Sequence, residues 1–391
     1  MNGKESKKTV RAFAAASFFN DLGSDMIYPI WPLFVTVYLG ADMAVLGLID
    51  GLGEAVVSIS KAVSGFLSDR LRKRKVFVWT GYLLGSLSRV GYAFTTAWQL
   101  LVPFRVLDRA GKIRSAPRDA VIADVSKTGM RGRNFGLVRA SDHLGAVCGV
   151  LLCIFFFKYL GYKKLLLIAA VPSLIAAAIV ILLIRERKAP EIEAFKGLRL
   201  RHLDRNFRLF LFLSALFALG SFSYSFLLVF AKEFGFRVTF VPVLYLLFAA
   251  SASIFSIPFG RLADRIGRKR VLILSFLFWG LVCASFIWFP SRAGIAVTFI
   301  LYGMHKGALE PVQKAFVSEL APAEYRASAL GGFQMVIGLC ALPASLVAGL
   351  LWDRIGILVP FYLSLSLTAA AILLLMLVRE NAPPEGIEPV T

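Results

Sequence analysis

Residues 65–75 read GFLSDRLRKRK, and residues 260–270 read GRLADRIGRKR. The two segments share a glycine, an Asp-Arg pair and a basic cluster, and each position of the second lies 195 residues after its counterpart in the first. A repeat whose offset is about half the chain indicates duplication of one structural unit. We therefore expect a chain built from two related halves.

Apolar runs surround both copies of the repeat and recur along the whole chain. Of the 391 residues, 58% are hydrophobic and 17% are charged, and the mean hydropathy is +0.73. A soluble domain of this length would leave much of that apolar surface exposed. Runs of about twenty residues can cross the ~30 Å hydrocarbon core as helices, and they lack the period-two alternation of a membrane barrel. We predict an all-α membrane protein with twelve transmembrane helices, at 13–38, 43–64, 76–96, 98–121, 134–157, 162–184, 207–230, 240–262, 270–289, 293–319, 327–350 and 357–378.

The net charge of +20 raises the question of a nucleic-acid partner. Lys and Arg collect in the predicted loops on the side of the N-terminus, which is the positive-inside bias of membrane proteins. We therefore expect no nucleic-acid partner, a contact with membrane lipid, and both termini in the cytoplasm. The expected location is the cell membrane, the inner membrane of a bacterium, with multiple passes.

A charged stretch after the sixth predicted helix divides the chain. It predicts three parts: an N-terminal six-helix bundle at 1–184, a cytoplasmic linker at 185–206, and a C-terminal six-helix bundle with a short cytoplasmic tail at 207–391. Two pseudo-symmetric bundles with a site between them are the arrangement that a rocking transporter uses.

The repeated segment resembles the cytoplasmic loop signature of the major facilitator superfamily, Gly-x-Leu-x-Asp-Arg-x-Gly-Arg-Lys/Arg-Lys/Arg. The first copy departs from it, because Arg72 stands where Gly267 stands in the second copy. The resemblance implies two six-helix bundles that alternate access to a central cavity lined by helices 1, 4, 7 and 10. It also implies a cytoplasmic gate, formed by Gly65, Asp69 and Arg70 and by their pseudo-symmetric counterparts Gly260, Asp264 and Arg265.

Ionisable residues inside the predicted helices are candidates for function, because each costs about 2.5–3.5 kcal/mol to insert at the helix centre. Asp21 and Asp25 lie one turn apart and share a face. One interpretation is structural pairing, for example of Asp25 with Arg109, and the other is binding of substrate or a proton. With the family's cavity helices, the candidate substrate and cavity residues are Asp25, Tyr28, Arg105, Arg109, Lys112, Lys306 and Glu310. The proton-coupling candidates are Asp21, Asp25, Glu54, Asp108 and His143.

The C-terminal half is more apolar and offers serines and aromatic side chains on its seventh and eighth helices. Such a wall suits an organic ligand with an apolar body. Since the sequence carries no phosphate-binding loop, metal-ligand spacing or nucleophile constellation, we expect no enzyme activity, no cofactor and no metal. The sequence predicts a monomeric, proton-coupled secondary active transporter of a small organic solute, anionic or zwitterionic. The alternative is an efflux pump for drugs, lipids or other amphiphiles.

Overall fold

The computed structural model describes residues 3–71, 73–126, 131–186, 204–321 and 326–380, and these residues form helices and no strand. The first half contains α1 to α7, and the second half contains α8 to α14. Their bounds are Gly3–Asp25, Trp31–Leu33, Met43–Arg70, Lys75–Phe94, Trp98–Ala110, Ser115–Val125, Arg131–Leu183, Arg205–Gly220, Tyr224–Glu233, Val241–Ile266, Arg268–Trp288, Arg292–Leu320, Arg326–Arg354 and Val359–Leu377. We call the described residues 3–186 the N-half and 204–380 the C-half.

Seven helical segments in the described chain are long and apolar enough to cross a membrane. Helix α5 is too short for this set, with 13 residues. Helices α1 and α12 are long enough but fall outside it, and they carry charged side chains such as Asp25 and Lys306. The charges that lower the hydropathy of a segment are therefore also the first place to look for a polar site.

The predicted helix 98–121 passes through the 3-10 turn Gly111–Arg114 between α5 and α6, and two other predicted helices lose their helical structure for several residues. The predicted helix 13–38 ends at Asp25, and helical structure resumes at Trp31, where Pro32 occupies the first turn, as proline is tolerated there. The predicted helix 207–230 is interrupted between Gly220 and Tyr224. Uninterrupted helices were thus the wrong prediction at both places.

Helix α7 covers two predicted helices that meet at Gly161, whose φ of +63° and ψ of −173° are not helical. The Asn134 side chain donates to Ser126 at the start of α7, and Tyr162 packs against Tyr38 near the turn. The chain therefore crosses the molecule, reverses at Gly161 and returns. A glycine is suited to this positive φ because it has no Cβ.

The helix ends define two sides of the molecule. We call the side with residues 3, 70–71, 73–75, 126, 186, 204 and 380 the terminal side, and the side with residues 38–43 and 353–358 the far side. On the terminal side, Glu186 accepts hydrogen bonds from the backbone N–H groups of Arg74 and Lys75 at 2.8 and 3.2 Å. Glu380 does the same for Arg268 and Lys269. The two halves thus repeat the same cap at the start of α4 and of α11.

The halves meet along a seam between α3 and α13. A Cβ atom built on Gly47 would lie 2.0 Å from the Ser345 carbonyl oxygen, and one on Gly51 would lie 2.5 Å from Leu342 Cα. Small residues allow this backbone-to-backbone contact. Nothing lies within 4 Å of the same position at Gly260, near the terminal end of α10. The seam runs from the far side to Ser58 of α3, which a Cβ on Gly338 would also meet.

Candidate functional site

A cavity of about 420 Å³ lies between the two halves. Its N-half wall is made of charged side chains and one tyrosine: Tyr28, Asp50, Glu54, Arg105 and Arg109. Its C-half wall is made of aromatic, hydroxyl and charged side chains, chiefly Ser214, Phe217, Phe222, Ser223, Tyr224, Tyr245, Phe248, Tyr302, Lys306 and Glu310. Glu54 and Glu310 are exposed while Asp50 is 4% exposed, so the cavity opens toward the terminal side and closes toward the far side.

Asp50 and Arg105 form a buried ion pair in the N-half wall, with 2.8 Å between Arg105 Nη2 and Asp50 Oδ1. The same carboxylate oxygen accepts a hydrogen bond from Trp31 Nε1 at 2.9 Å, and the Arg105 guanidinium lies 4.0 Å from the Trp31 ring centre. Without Arg105, Asp50 would be buried with no cation beside it among the described residues, and without Asp50, Arg105 would keep only Asp108 at 4.0 Å. Because breaking a buried pair is costly, this pair fixes the shape of the wall.

Arg109 is held less tightly. Its guanidinium lies 4.0 Å from carboxylate oxygens of Glu54 and Asp108, beyond hydrogen-bond distance, and Nη1 donates to the Tyr28 hydroxyl at 3.3 Å. The side chain is 7% exposed, and Nε has no hydrogen-bond partner among the described residues. A buried N–H donor without a partner is costly, so Arg109 is suited to binding an acceptor oxygen of a ligand.

Lys306 supplies a second cation from the opposite wall. Its Nζ lies 5.8 Å from the centre of the Tyr302 ring, and no carboxylate of the described residues lies within 4.0 Å of it. Ser214 Oγ, also in the C-half wall, is buried without a partner in the described part of the chain. Free donors therefore face the cavity from both halves.

Four hydrogen bonds cross between the halves at the closed end of the cavity. The hydroxyls of Ser223 and Ser225 donate to Asp50 Oδ2, the former at 2.7 Å. The Tyr245 hydroxyl donates to Asp25 Oδ1 at 3.3 Å, and the Tyr224 hydroxyl donates to the Tyr28 backbone carbonyl, between α1 and α2, at 3.4 Å. The break between α8 and α9 is what presents the two serines to Asp50.

The structure brings most of the predicted cavity residues together. Tyr28, Arg105, Arg109, Lys306 and Glu310 line one cavity.

Two predicted cavity residues lie elsewhere. Asp25 does not line the cavity, but it accepts a hydrogen bond from the lining residue Tyr245. Lys112 lies in the 3-10 turn Gly111–Arg114 and is not among the lining residues. The example pair of Asp25 with Arg109 is wrong, because Asp25 accepts from Tyr245 and Arg109 donates to Tyr28.

The proton-coupling candidates do not lie together in the structure. Glu54 lines the cavity, and Asp108 lies beside Arg105 and Arg109. Asp21 accepts from Asn20 at 2.7 Å, outside the cavity. His143 is exposed on α7 and contacts none of these groups.

The predicted cytoplasmic gate lies at the terminal ends of α3 and α10. Gly65 faces Ala116 of its own half, and Arg70 is exposed. Asp264 and Arg265 are exposed, and Asp264 pairs with Arg268 one turn away. The Asp69 side chain lies outside the described part of the structure. No neighbouring atom of the described residues lies within 4 Å of a Cβ built on Gly260.

Asp50, Ser223 and Ser225 were absent from the predicted site. Asp50 gave a signal, since it is a carboxylate within an apolar helix, but nothing in the sequence distinguishes it from Glu54 one turn later. The serines belong to the wall expected on the seventh helix, but their bonds to Asp50 gave no signal, because serine is common in membrane helices and hydrogen-bonds to its own backbone there.

Apolar helices that surround a charged cavity define a multi-pass membrane protein that binds a small molecule. The family model of the Major Facilitator Superfamily matches residues 13–253 and 209–391. An uncharacterized MFS-type transporter of Methanocaldococcus jannaschii is 38% identical over 361 residues, covering 90% of each chain. The chain therefore belongs to the Major Facilitator Superfamily, as the repeated signature predicted, and its function is membrane transport of a solute.

A more distant relative and two solved structures also match nearly the whole chain. Maltose permease of Geobacillus stearothermophilus is 25% identical over 390 residues, covering 98% of each chain. The crystal structure of the nucleoside transporter NupG matches with a TM-score of 0.73 and 18% identity, covering 97% of this chain and 98% of that one. A bacterial homolog of the human lysosomal transporter Spinster, in an inward-facing and occupied conformation, matches with a TM-score of 0.69 and 15% identity, covering 94% of each. At these identities the solved structures establish the fold alone.

Proposed function

We propose that this protein is a secondary active transporter that moves a small organic solute with an anionic or zwitterionic group, by alternating access and coupled to protons. The observation that carries the proposal is the pair of facing cations, Arg109 on the N-half wall and Lys306 on the C-half wall, in one cavity. Neither has a carboxylate within hydrogen-bond distance among the described residues. A carboxylate or phosphate bound between them would connect the two halves.

A zwitterion fits the same walls. Glu54 lies beside Arg109 and Glu310 is one turn from Lys306, so each wall offers a carboxylate near its cation. A ligand amine can contact either carboxylate while its acid group contacts the cations. Glu54 is also the predicted proton acceptor that lines the cavity, with its side chain 54% exposed and so within reach of water from the terminal side. Among the coupling candidates, Glu54 is therefore our first choice.

We further propose twelve transmembrane helices in two six-helix bundles, divided at 185–206, and a monomer. The repeated caps of Glu186 and Glu380 support the duplication. The basic terminal side, which holds both copies of the signature, supports cytoplasmic termini by the positive-inside rule. The far side is then extracellular, and the protein lies in the cytoplasmic membrane with the cavity open to the cytoplasm.

The experiment is thermal unfolding of the purified protein in detergent against a panel of organic anions, zwitterions and cations at two pH values. A ligand of the folded state raises the midpoint, and at a hundred times its dissociation constant it stabilises by about 2.7 kcal/mol. We expect at least one anion or zwitterion to do so, and Arg109→Ala and Lys306→Ala to abolish the effect.

Matched controls are Arg237→Ala and Lys158→Ala, which remove the same charges from exposed positions outside the cavity. Both should retain the ligand response. Stabilisation that survives in Arg109→Ala and Lys306→Ala, or a panel in which only cations respond, contradicts the proposal. Transport of the active ligand that is indifferent to a proton gradient contradicts the coupling alone.

The second candidate function is efflux of drugs, lipids or other amphiphiles, and the C-half wall favours it. Phe217, Phe222 and Phe248 line the cavity together with three tyrosines, and such a surface binds apolar bodies. Stabilisation of the protein by amphiphilic cations or lipids, unchanged in Arg109→Ala, would favour this function over the first.

A further inference from the structure

The start of α3 is capped from both halves. Helix α3 begins at Met43, and the first N–H groups of a helix lack partners within the helix. Asp42, in the same half, accepts from the Val45 backbone N–H at 2.8 Å. Asp353, at the end of α13 in the opposite half, accepts from Met43 N–H at 3.2 Å and from Ala44 N–H at 2.7 Å. The N-terminus of α3 is thus capped by two exposed carboxylates, one from each half.

The Asp353 contact lies at the far end of the glycine seam. A Cβ on Gly349 would lie 2.2 Å from the Met43 carbonyl oxygen, and Gly47 and Gly51 make similar contacts further along. The two backbones are therefore in contact over more than two turns, and the register places the Asp353 carboxylate on the α3 terminus. Separation of α3 from α13 at this end would break both of its hydrogen bonds.

The hydrogen bonds of Asp353 and Asp50 between the halves share one chemistry: an aspartate of one half accepts from neutral N–H or O–H groups of the other. Asp50 repeats it inside the molecule, where its Oδ1 is bound by its own half and its Oδ2 by the serines of the opposite half. Among the described residues no ion pair joins the two halves. Because the donors are neutral N–H and O–H groups, opening this side leaves no unpaired cation behind, and water can replace each bond. Such ties suit a contact that must form and break in every cycle.

We propose that Asp353 is the positioning residue of the extracellular gate: it closes the far side by capping α3 across the two halves. This inference rests on the proposed function, in which the two sides open alternately. In the far-side-closed state, the partial positive charge of the α3 terminus binds the Asp353 carboxylate. In the far-side-open state, Asp42 alone caps α3.

The test measures opening of the far side with a cysteine at Ser345. Ser345 is 3% exposed, contacts Gly47 in the seam and lines the closed end of the cavity. Ser345→Cys is made in full-length protein whose four native cysteines are replaced by alanine. A membrane-impermeant maleimide is added outside right-side-out membrane vesicles, and the labelling rate is compared among Asp353→Ala, Asp353→Asn and Asp42→Ala.

We expect Asp353→Ala to raise the labelling rate about fivefold, the population change that corresponds to one helix cap. Asp353→Asn, which keeps an acceptor oxygen but not the charge, should give a smaller increase. Asp42→Ala removes a cap from the same helix end without a bond between the halves, so it should lower the thermal midpoint about as much as Asp353→Ala and leave the labelling rate unchanged. This control separates gating from simple loss of helix stability.

Equal labelling in Asp353→Ala and Asp42→Ala, or no increase in either, overturns the inference. Its failure is distinguishable from failure of the proposed function. If the unmodified protein transports its solute but Asp353→Ala does not change the labelling rate, the proposed function stands and the proposed gate is wrong. If Asp353→Ala increases the labelling rate but the unmodified protein transports no solute of the panel, the proposed gate stands and the proposed function is wrong.

Discussion

The two walls of the cavity differ in how their polar groups are held. On the N-half wall, Asp50 and Arg105 are buried and fixed by an ion pair and by Trp31. On the C-half wall, polar groups are separated by aromatic rings, and Lys306 and Ser214 have free hydrogen-bonding capacity. The difference teaches that the N-half presents a charged surface, fixed at Asp50 and Arg105 and looser at Arg109, while the C-half presents a mainly apolar surface with a few free donors. A ligand with a charged group and an organic body would use both.

The largest effect is expected from breaking the fixed wall. Asp50→Ala leaves the buried Arg105 guanidinium with only Asp108, 4.0 Å away, as a counter-charge. Breaking a buried pair in this way costs about 3–5 kcal/mol. Thermal unfolding in detergent should show a much lower midpoint. Glu54→Ala is the matched control one turn away, because Glu54 is exposed and 4.0 Å from its nearest cation. Equal stability of the two variants would show that the N-half wall is not fixed by Asp50.

The next largest effect is expected from removing an aromatic side chain of the C-half wall. Phe248→Ala removes an aromatic side chain that lines the cavity and packs on Tyr302 with ring centres 4.7 Å apart. Loss of a buried aromatic contact of about 1.5–3 kcal/mol corresponds to a roughly 10- to 150-fold weaker affinity for a ligand with an apolar body.

The affinity is measured by titration of the thermal midpoint, with Phe240→Ala as the control on an exposed ring outside the cavity. A ligand whose affinity falls equally in both variants does not contact the aromatic wall.

The exchange of one donor should have a smaller effect. Arg109→Lys keeps the charge but loses the planar fork of donors, including the buried Nε. We expect ligand affinity to fall by about tenfold, less than the full loss in Arg109→Ala, with little change in the stability of the unliganded protein. Lys306→Arg is the reciprocal variant. If Arg109→Lys binds as tightly as the unmodified protein, Arg109 contributes charge only.

The smallest effect is expected where the two walls touch. Tyr245→Phe removes the hydroxyl that donates to Asp25 across the halves at 3.3 Å. One such bond contributes about 1 kcal/mol, which should lower the thermal midpoint by a few degrees at most. Tyr362→Phe on the exposed surface is the control. A decrease as large as that of Asp50→Ala would place the main tie between the halves at Asp25.

The sequence allowed the fold to be predicted well, because apolar run length and the repeat at 65–75 and 260–270 depend only on local composition. The family prediction is confirmed, and so is the all-helical class. The breaks near Trp31 and Ser223 were not foreseen, since proline and serine are tolerated inside membrane helices as well as at their ends.

The site was predicted in part. Arg105, Arg109 and Lys306 could be selected because charges in apolar helices are costly, and this cost does not depend on the partner. Their pairing could not be predicted, because it depends on helix rotation. Asp353 contacts a residue 310 positions away, and no periodicity reports such a contact.

The most direct test of the central proposal is a current measurement on proteoliposomes adsorbed to a solid-supported membrane, with rapid addition of each member of the panel of anions, zwitterions and cations. We predict that at least one anion or zwitterion elicits a transient current that depends on the proton gradient and disappears in Arg109→Ala but not in Arg237→Ala. Currents elicited only by cations, or currents of equal size in Arg109→Ala and the unmodified protein, would contradict a solute site built on Arg109.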